Sequence, residues 1–151
     1  MTDRQYYAHR WLNRMHGLFG EIESWEGRRE KILDSTAGIS KYDRETFSST
    51  TANTSEAKMI EYSYLSGIIE EKEERLSKEN VRTERVIDMI EDSPRGRKFK
   101  EVLIYRHINF LPWKEIAKRT NYSEKQCQNI HKEALEVIYD YIPVEAVEDE
   151  D

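Results

Sequence analysis

The stretch that decides the fold is PWKEIAKRTNYSEKQCQNIHKEALEVI, residues 112–138. Pro112 suits the opening of a helix, where its fixed backbone angle and missing N–H cost little. Trp113, Ile116 and Ala117 then give that helix one apolar stripe. Thr120-Asn121-Tyr122 reads as a tight turn, because asparagine tolerates the left-handed conformation such a turn needs. Ser123, with Gln126 three residues on, has the spacing of a capping box and starts the next helix. In it Cys127, Ile130, Ala134 and Ile138 recur at threes and fours, the period of a buried helical face. The opposite face carries Glu124, Lys125, Gln128, Asn129 and Lys132. A small residue at Ala117 lets the two helices approach closely, and Tyr122 helps pin them. This is helix-turn-helix spacing, and amides and lysines are the side chains that meet base edges and phosphates in a major groove.

Upstream, Phe99, Val102, Leu103 and Arg106 mark one more short helix ending near Asn109, and Ser93-Pro94-Arg95-Gly96 breaks the chain before it. Further back, Ala8, Trp11, Met15, Leu18, Ile22, Trp25 and Ile32 alternate at threes and fours, a heptad seam along a helix over 3–34 in which Arg29 fills one slot. Trp11, Met15, Leu18, Ile22 and Trp25 are the candidate oligomerisation residues. The seam serves an intrachain hairpin, a subunit contact, or both. Gly17, Gly20 and Gly27 each weaken that helix by ~1 kcal/mol relative to alanine, so it needs tertiary support. Residues 36–55, TAGISKYDRETFSSTTANTS, are rich in Ser and Thr without an apolar period and read as a loop. Asn53 with Glu56 suggests a second helix over about 55–91, whose seam of Met59, Tyr62, Leu65, Ile69, Leu76, Val86 and Ile90 is interrupted by Lys72, Glu79 and Thr83. The expected fold is all-α: a long helical arm (1–92, hairpin or coiled-coil-like), a helix-turn-helix domain (95–142) and an acidic tail (143–151).

Composition supports this layout. Charged residues are 36% of the 151 and there are three prolines and six glycines, which disfavours a turn-rich all-β fold. The longest apolar run is about four residues, against the ~20 a bilayer span needs, and the first residues show no apolar signal core. One cysteine excludes an internal disulfide. The expectation is a cytoplasmic protein with no membrane partner. The net charge of −6 hides an asymmetry: residues 95–142 carry 10 Lys/Arg against 6 Asp/Glu, whereas residues 143–151 carry five acids and no base. A basic module between acidic flanks suits a nucleic-acid partner better than the total does.

Residues 101–135, with Trp-Lys-Glu-Ile-Ala at 113–117, Tyr-Ser at 122–123 and Ile130…Ala134-Leu135, resemble region 4 of the sigma-70 class. The whole layout is similar to the RinA/ArpU-type late-gene regulators of phages of Gram-positive bacteria, including an Asn-Thr-Ser element at 53–55. The resemblance implies binding to double-stranded promoter DNA in a bacterial host, activation of late packaging and structural genes, and contact with host RNA polymerase. Carried over by position, it makes Glu124, Lys125, Gln126, Gln128, Asn129 and Lys132 base-facing and puts Lys114, Lys118, Arg119 and Ser123 on phosphates. Asn121 departs from the more usual glycine, and Glu124 stands where a basic or small residue is common. No element resembles the sigma region that engages the −10 sequence, so an auxiliary regulator fits better than a stand-alone sigma factor.

So small a module needs two half-sites, hence a homodimer or help from polymerase. A small terminase subunit that marks DNA for packaging is the rival reading, although such proteins place the DNA module first. A structural helical adaptor that binds no DNA is the third. No phosphate loop, nucleophile elbow or carboxylate pair is present, so neither an enzyme nor a cofactor is expected. Cys127 and His131 stand four apart, read as a core thiol beside a rim histidine; His9 and His16 stand two turns apart and His107 alone. None of these is expected to bind metal. The tail is a solvating terminus, or a shield for the basic face.

Overall fold

A computed structural model describes residues 1–42 and 49–143, and the side chains of residues 1–35 and 55–143. The chain is all-α: among the described residues there is no strand. Helices α1 (Asp3–Tyr42) and α2 (Ser49–Asp88) precede α3 (Pro94–Leu103), a π turn (Ile104–Ile108), α4 (Trp113–Thr120), α5 (Glu124–Ile138) and a 3-10 turn (Tyr139–Tyr141). No helix among the described residues is long and apolar enough to cross a membrane.

The expected loop over 36–55 is corrected. Helix continues to Tyr42 and resumes at Ser49, so Asn53 lies inside α2 rather than at its start, and of this stretch 43–48 fall outside the described residues. Ser and Thr cost a helix only tenths of a kcal/mol each, and extending an existing helix avoids the expensive nucleation step. The tail beyond residue 143 also lies outside the described residues.

The chain forms two compact units, residues 1–17 with 77–151 and residues 18–76. This division does not follow the 1–92 and 95–142 boundaries expected from sequence. The start of α1 and the end of α2 pack with the C-terminal helices, where Ala8, Trp11, Leu12, Val86, Ile87 and Ile90 share one core with Phe99, Leu103, Ala134, Leu135 and Ile138. Thr2 and Gln5 cap α1 reciprocally, with the Gln5 N–H donating to Thr2 Oγ1 at 3.1 Å and the Thr2 N–H to Gln5 Oε1 at 2.8 Å. From there Arg4 pairs with Glu136 and Asp140, and Gln5 Nε2 donates to the Lys132 carbonyl. The first turns of α1 are thereby tied to the inner side of α5.

Within the second unit Ile22, Leu65 and Ile69 are buried, while Leu18, Trp25, Tyr62 and Leu76 are half-buried. The seam's polar interruptions are answered across the pair. Lys72 meets Glu21 at 3.1 Å, and Arg29 reaches Ser66 and lies over the Tyr62 ring. In the first unit Glu79 meets Arg14 at 2.9 Å, and the buried Thr83 hydroxyl lies 3.2 Å from Arg14 and 3.3 Å from Met15 Sδ. Mismatched polar groups at a seam disfavour slipped registers. Among the candidate oligomerisation residues, Trp11, Met15 and Ile22 are therefore covered by their own chain, and Leu18 and Trp25 are half-covered.

Candidate nucleic-acid interface

Helices α4 and α5 are joined through Asn121, which adopts φ 61° and ψ 21°, the left-handed conformation expected of it. The Thr120 hydroxyl donates to the Ile116 carbonyl at 2.8 Å and lies 3.4 Å from Cys127 Sγ, which ties the turn to both helices. Ser123 Oγ accepts from the Gln126 N–H at 3.1 Å, and the Ser123 N–H donates to Gln126 Oε1 at 2.9 Å. Pro112 sits one position earlier than the first helical turn, as the residue before α4. Cys127, His131, Ala134, Leu135 and Ile138 form the buried face of α5.

All six expected base-facing residues, Glu124, Lys125, Gln126, Gln128, Asn129 and Lys132, are exposed on the other face. Gln126 is committed to the cap. The side chains of Lys125, Gln128, Asn129 and Lys132 make no hydrogen bond or ion pair among the described residues. Further along α5 the acids are taken up from neighbouring helices, Glu133 by Arg95 at 2.9 Å and Glu136 by Arg4 at 3.0 Å. Such exposed pairs add little stability, but they neutralise the acids flanking Lys132. Of the expected phosphate contacts, Lys114 and Lys118 are exposed, Arg119 pairs with Glu115 at 3.4 Å, and Ser123 is held in its cap.

Sequence reasoning did not select α3 as part of this surface. An open groove between α3 and α5 is lined by Arg95, Lys98, Phe99, Tyr122, Asn129 and Ile130, among others, with Lys98 lying 5.6 Å from the Tyr122 ring centroid. The run Arg95, Arg97, Lys98 and Lys100, which supplies much of the module's positive charge, was the available signal.

The second feature missed is behind α5. All four histidines of the chain meet there: His9 and His16 from α1, His107 from the π turn and His131 from α5. His131 is buried rather than at the rim, and His107 is fully covered. Their Nε2 atoms lie 2.8 Å apart while the ring centroids are 5.1 Å apart, so the rings meet vertex to vertex through one N–H···N hydrogen bond. His9 and His16 contact this pair edge-to-face. Asn13 Nδ2 lies 3.1 Å from His9 Nε2. Burial lowers the pKa of every one of the four, His131 to about 3, and the Arg106 charge lowers them further. A hydrogen bond with the Arg106 backbone partly offsets this at His16. Among the described residues no group of three or more His, Cys, Asp or Glu is arranged to hold a metal ion. The sequence did carry a signal, since His16, His107 and His131 each stand four residues after a buried Leu12, Leu103 or Cys127.

No known family model matches the chain, and neither a curated protein nor a solved structure matches it.

Proposed function

We propose that this chain is a sequence-specific DNA-binding transcriptional regulator in which α4 and α5 act as a helix-turn-helix and α5 enters the major groove. The observation that carries the reading is the two-sided character of α5. One side is buried with Cys127, Ala134, Leu135 and Ile138, and the other presents Lys125, Gln128, Asn129 and Lys132 with no partner among the described residues. Amides pair with adenine edges and lysines with guanine edges or phosphates, so this set suits base readout. Lys114 and Lys118 on α4 would sit on phosphates, and Lys98 on α3 extends the cationic surface. Phosphate contacts position the module and base contacts specify the site. The resemblance to RinA/ArpU-type regulators adds a phage late promoter as the target and a homodimer as the acting form. On this reading α1 and α2 form the arm.

The test is binding to a pool of random duplex DNA at physiological salt, with sequencing of the retained fraction. A single enriched motif, in two parts a helical turn apart, is the expected result. Salt-sensitive retention without a motif would move the reading to a packaging or polymerase-recruited role. No retention would leave a structural adaptor. The variant Lys125→Ala/Gln128→Ala/Asn129→Ala should abolish enrichment while keeping the helical content of the parent.

A further inference from the structure

We propose that the cluster of His9, His16, His107 and His131 is a proton-operated latch that holds the start of α1 against the inner side of α5 while its rings are neutral and lets go when they take up protons. The consequence drawn for DNA rests on the reading of α5 given above; the latch itself does not.

The geometry disfavours protonated rings. Between His107 and His131 one Nε2 must donate and the other accept, because two protonated rings would point N–H at N–H across 2.8 Å. His107 Nδ1 and His16 Nε2 are buried without a hydrogen-bond partner among the described residues, so a proton added at either would sit as an unpaired donor in the interior. Asn13 Nδ2 lies 3.1 Å from His9 Nε2 and 3.3 Å from its Nδ1, the one side-chain amide beside the cluster among the described residues.

The charges acting on the rings make matters worse for a cation. From α1 they are His9 and His16, from the π turn His107 and Arg106, and from α5 His131; among the described residues no carboxylate acts on them. Arg106 is itself held in place, its guanidinium 4.7 Å from the Trp113 ring centroid and donating to the Leu111 carbonyl. Two backbone irregularities build the site. The π turn carries His107 inward, and Phe110, at φ 55°, sets its ring 4.8 Å from His16. Rare helical windings and bulky residues at positive φ persist where the surroundings over-determine them.

The sign follows. All four histidines have pKa values below the ordinary 6.5, so the closed form has its full stability above about pH 6.5 and loses it as pH falls. Each ring protonated only in the open form costs about tenfold in the closing equilibrium per pH unit below that point. For His107 and His131 alone, pH 7.5 to 5.0 is a loss of roughly 10²- to 10³-fold. His131 shares α5 with Gln128 and Lys132, so opening the latch removes the support behind the outer face of that helix.

The test uses the full chain without DNA. Thermal melts between pH 7.5 and 5.0 are compared for the wild type and for His107→Leu/His131→Leu, since replacing both partners of a buried hydrogen bond by apolar groups is close to neutral. The expected result is a marked fall in wild-type Tm across this range and less than half that fall in the variant. An equal fall in both would overturn the proposal. Should the variant not fold, NMR titration of the wild-type histidine rings decides. Histidines that stay neutral until a cooperative opening support the latch, and four rings titrating independently near pH 6.5 without any opening overturn it. Because neither readout contains DNA, a protein that binds no DNA at any pH would sink the proposed function and leave the latch to be judged alone.

Discussion

Ser123 and Gln126 satisfy each other at the start of α5, each backbone N–H donating to the other's side chain at 3.1 Å or less. Gln126 is thus a structural residue standing among candidate readers of DNA. Ser123→Ala and Gln126→Ala should each lower stability, the former by about 1 kcal/mol, and Gln126→Ala should leave any DNA sequence preference as it was. Gln128→Ala and Asn129→Ala should do the reverse. Urea unfolding alongside motif enrichment separates the two classes; a changed motif in Gln126→Ala would return that residue to the readers.

Glycines offer a test of opposite signs. Gly96 is buried two residues into α3, where a Cβ would overlap the Glu91 carbonyl oxygen and press on Ser93, the N-cap. Gly20 lies exposed inside α1 with open space around it. Gly96→Ala should destabilise by about 1–3 kcal/mol through overpacking, and Gly20→Ala should stabilise by about 0.5–1 kcal/mol through helix propensity. Chemical denaturation midpoints of the two variants would show it, and a shift in the same direction for both would refute the account.

What was legible in the sequence, and what was not, divides along one physical line. The α4–α5 pair was legible because turn, cap and apolar period are local signals: Asn121, Ser123 with Gln126, and Cys127 with Ala134 and Ile138 all stand where their chemistry puts them. The end of α1 and the start of α2 were misjudged because weak propensity in Ser and Thr was weighed as if it terminated a helix. The histidine cluster was only half legible: His16, His107 and His131 each follow a buried residue by four, which marks them as inward-facing but not as neighbours. His9, His107 and His131 come from three separate elements, and their convergence depends on α1 packing behind α5, a long-range event that no local spacing encodes.

Arg14 tests whether the seam's polar groups fix the pairing of α1 with α2. Its guanidinium lies over the Trp11 ring at 4.0 Å, donates to the Trp11 carbonyl at 2.6 Å, and reaches Glu79 at 2.9 Å and Thr83 at 3.2 Å. The Arg14 and Glu79 side chains are 26% and 30% exposed, so water screens the pair only in part. Arg14→Ala should cost about 2–3 kcal/mol, in the range of hydrogen bonds to charged groups. Arg14→Lys should recover less than half, because an ammonium lacks the planar fork. A double-mutant cycle with Glu79→Ala should give a coupling of about 1 kcal/mol; a value near zero would reduce the pair to surface decoration.

Asn121 sets two backbone effects against each other. At φ 61° an ordinary L-residue suffers about 1–2 kcal/mol of strain, of which asparagine escapes part. Glycine escapes all of it but gains freedom in the unfolded chain worth about 0.4–1 kcal/mol against folding. Asn121→Gly should therefore change stability by less than about 0.5 kcal/mol, since the two terms offset. Asn121→Val has no such offset and should lose about 1–2 kcal/mol. Because the turn sets the backbone path between α4 and α5, the valine variant should also lose DNA retention at temperatures where most of it is still folded. Full retention in that variant would mean that contacts such as Thr120 with Cys127 hold the two helices without help from the turn.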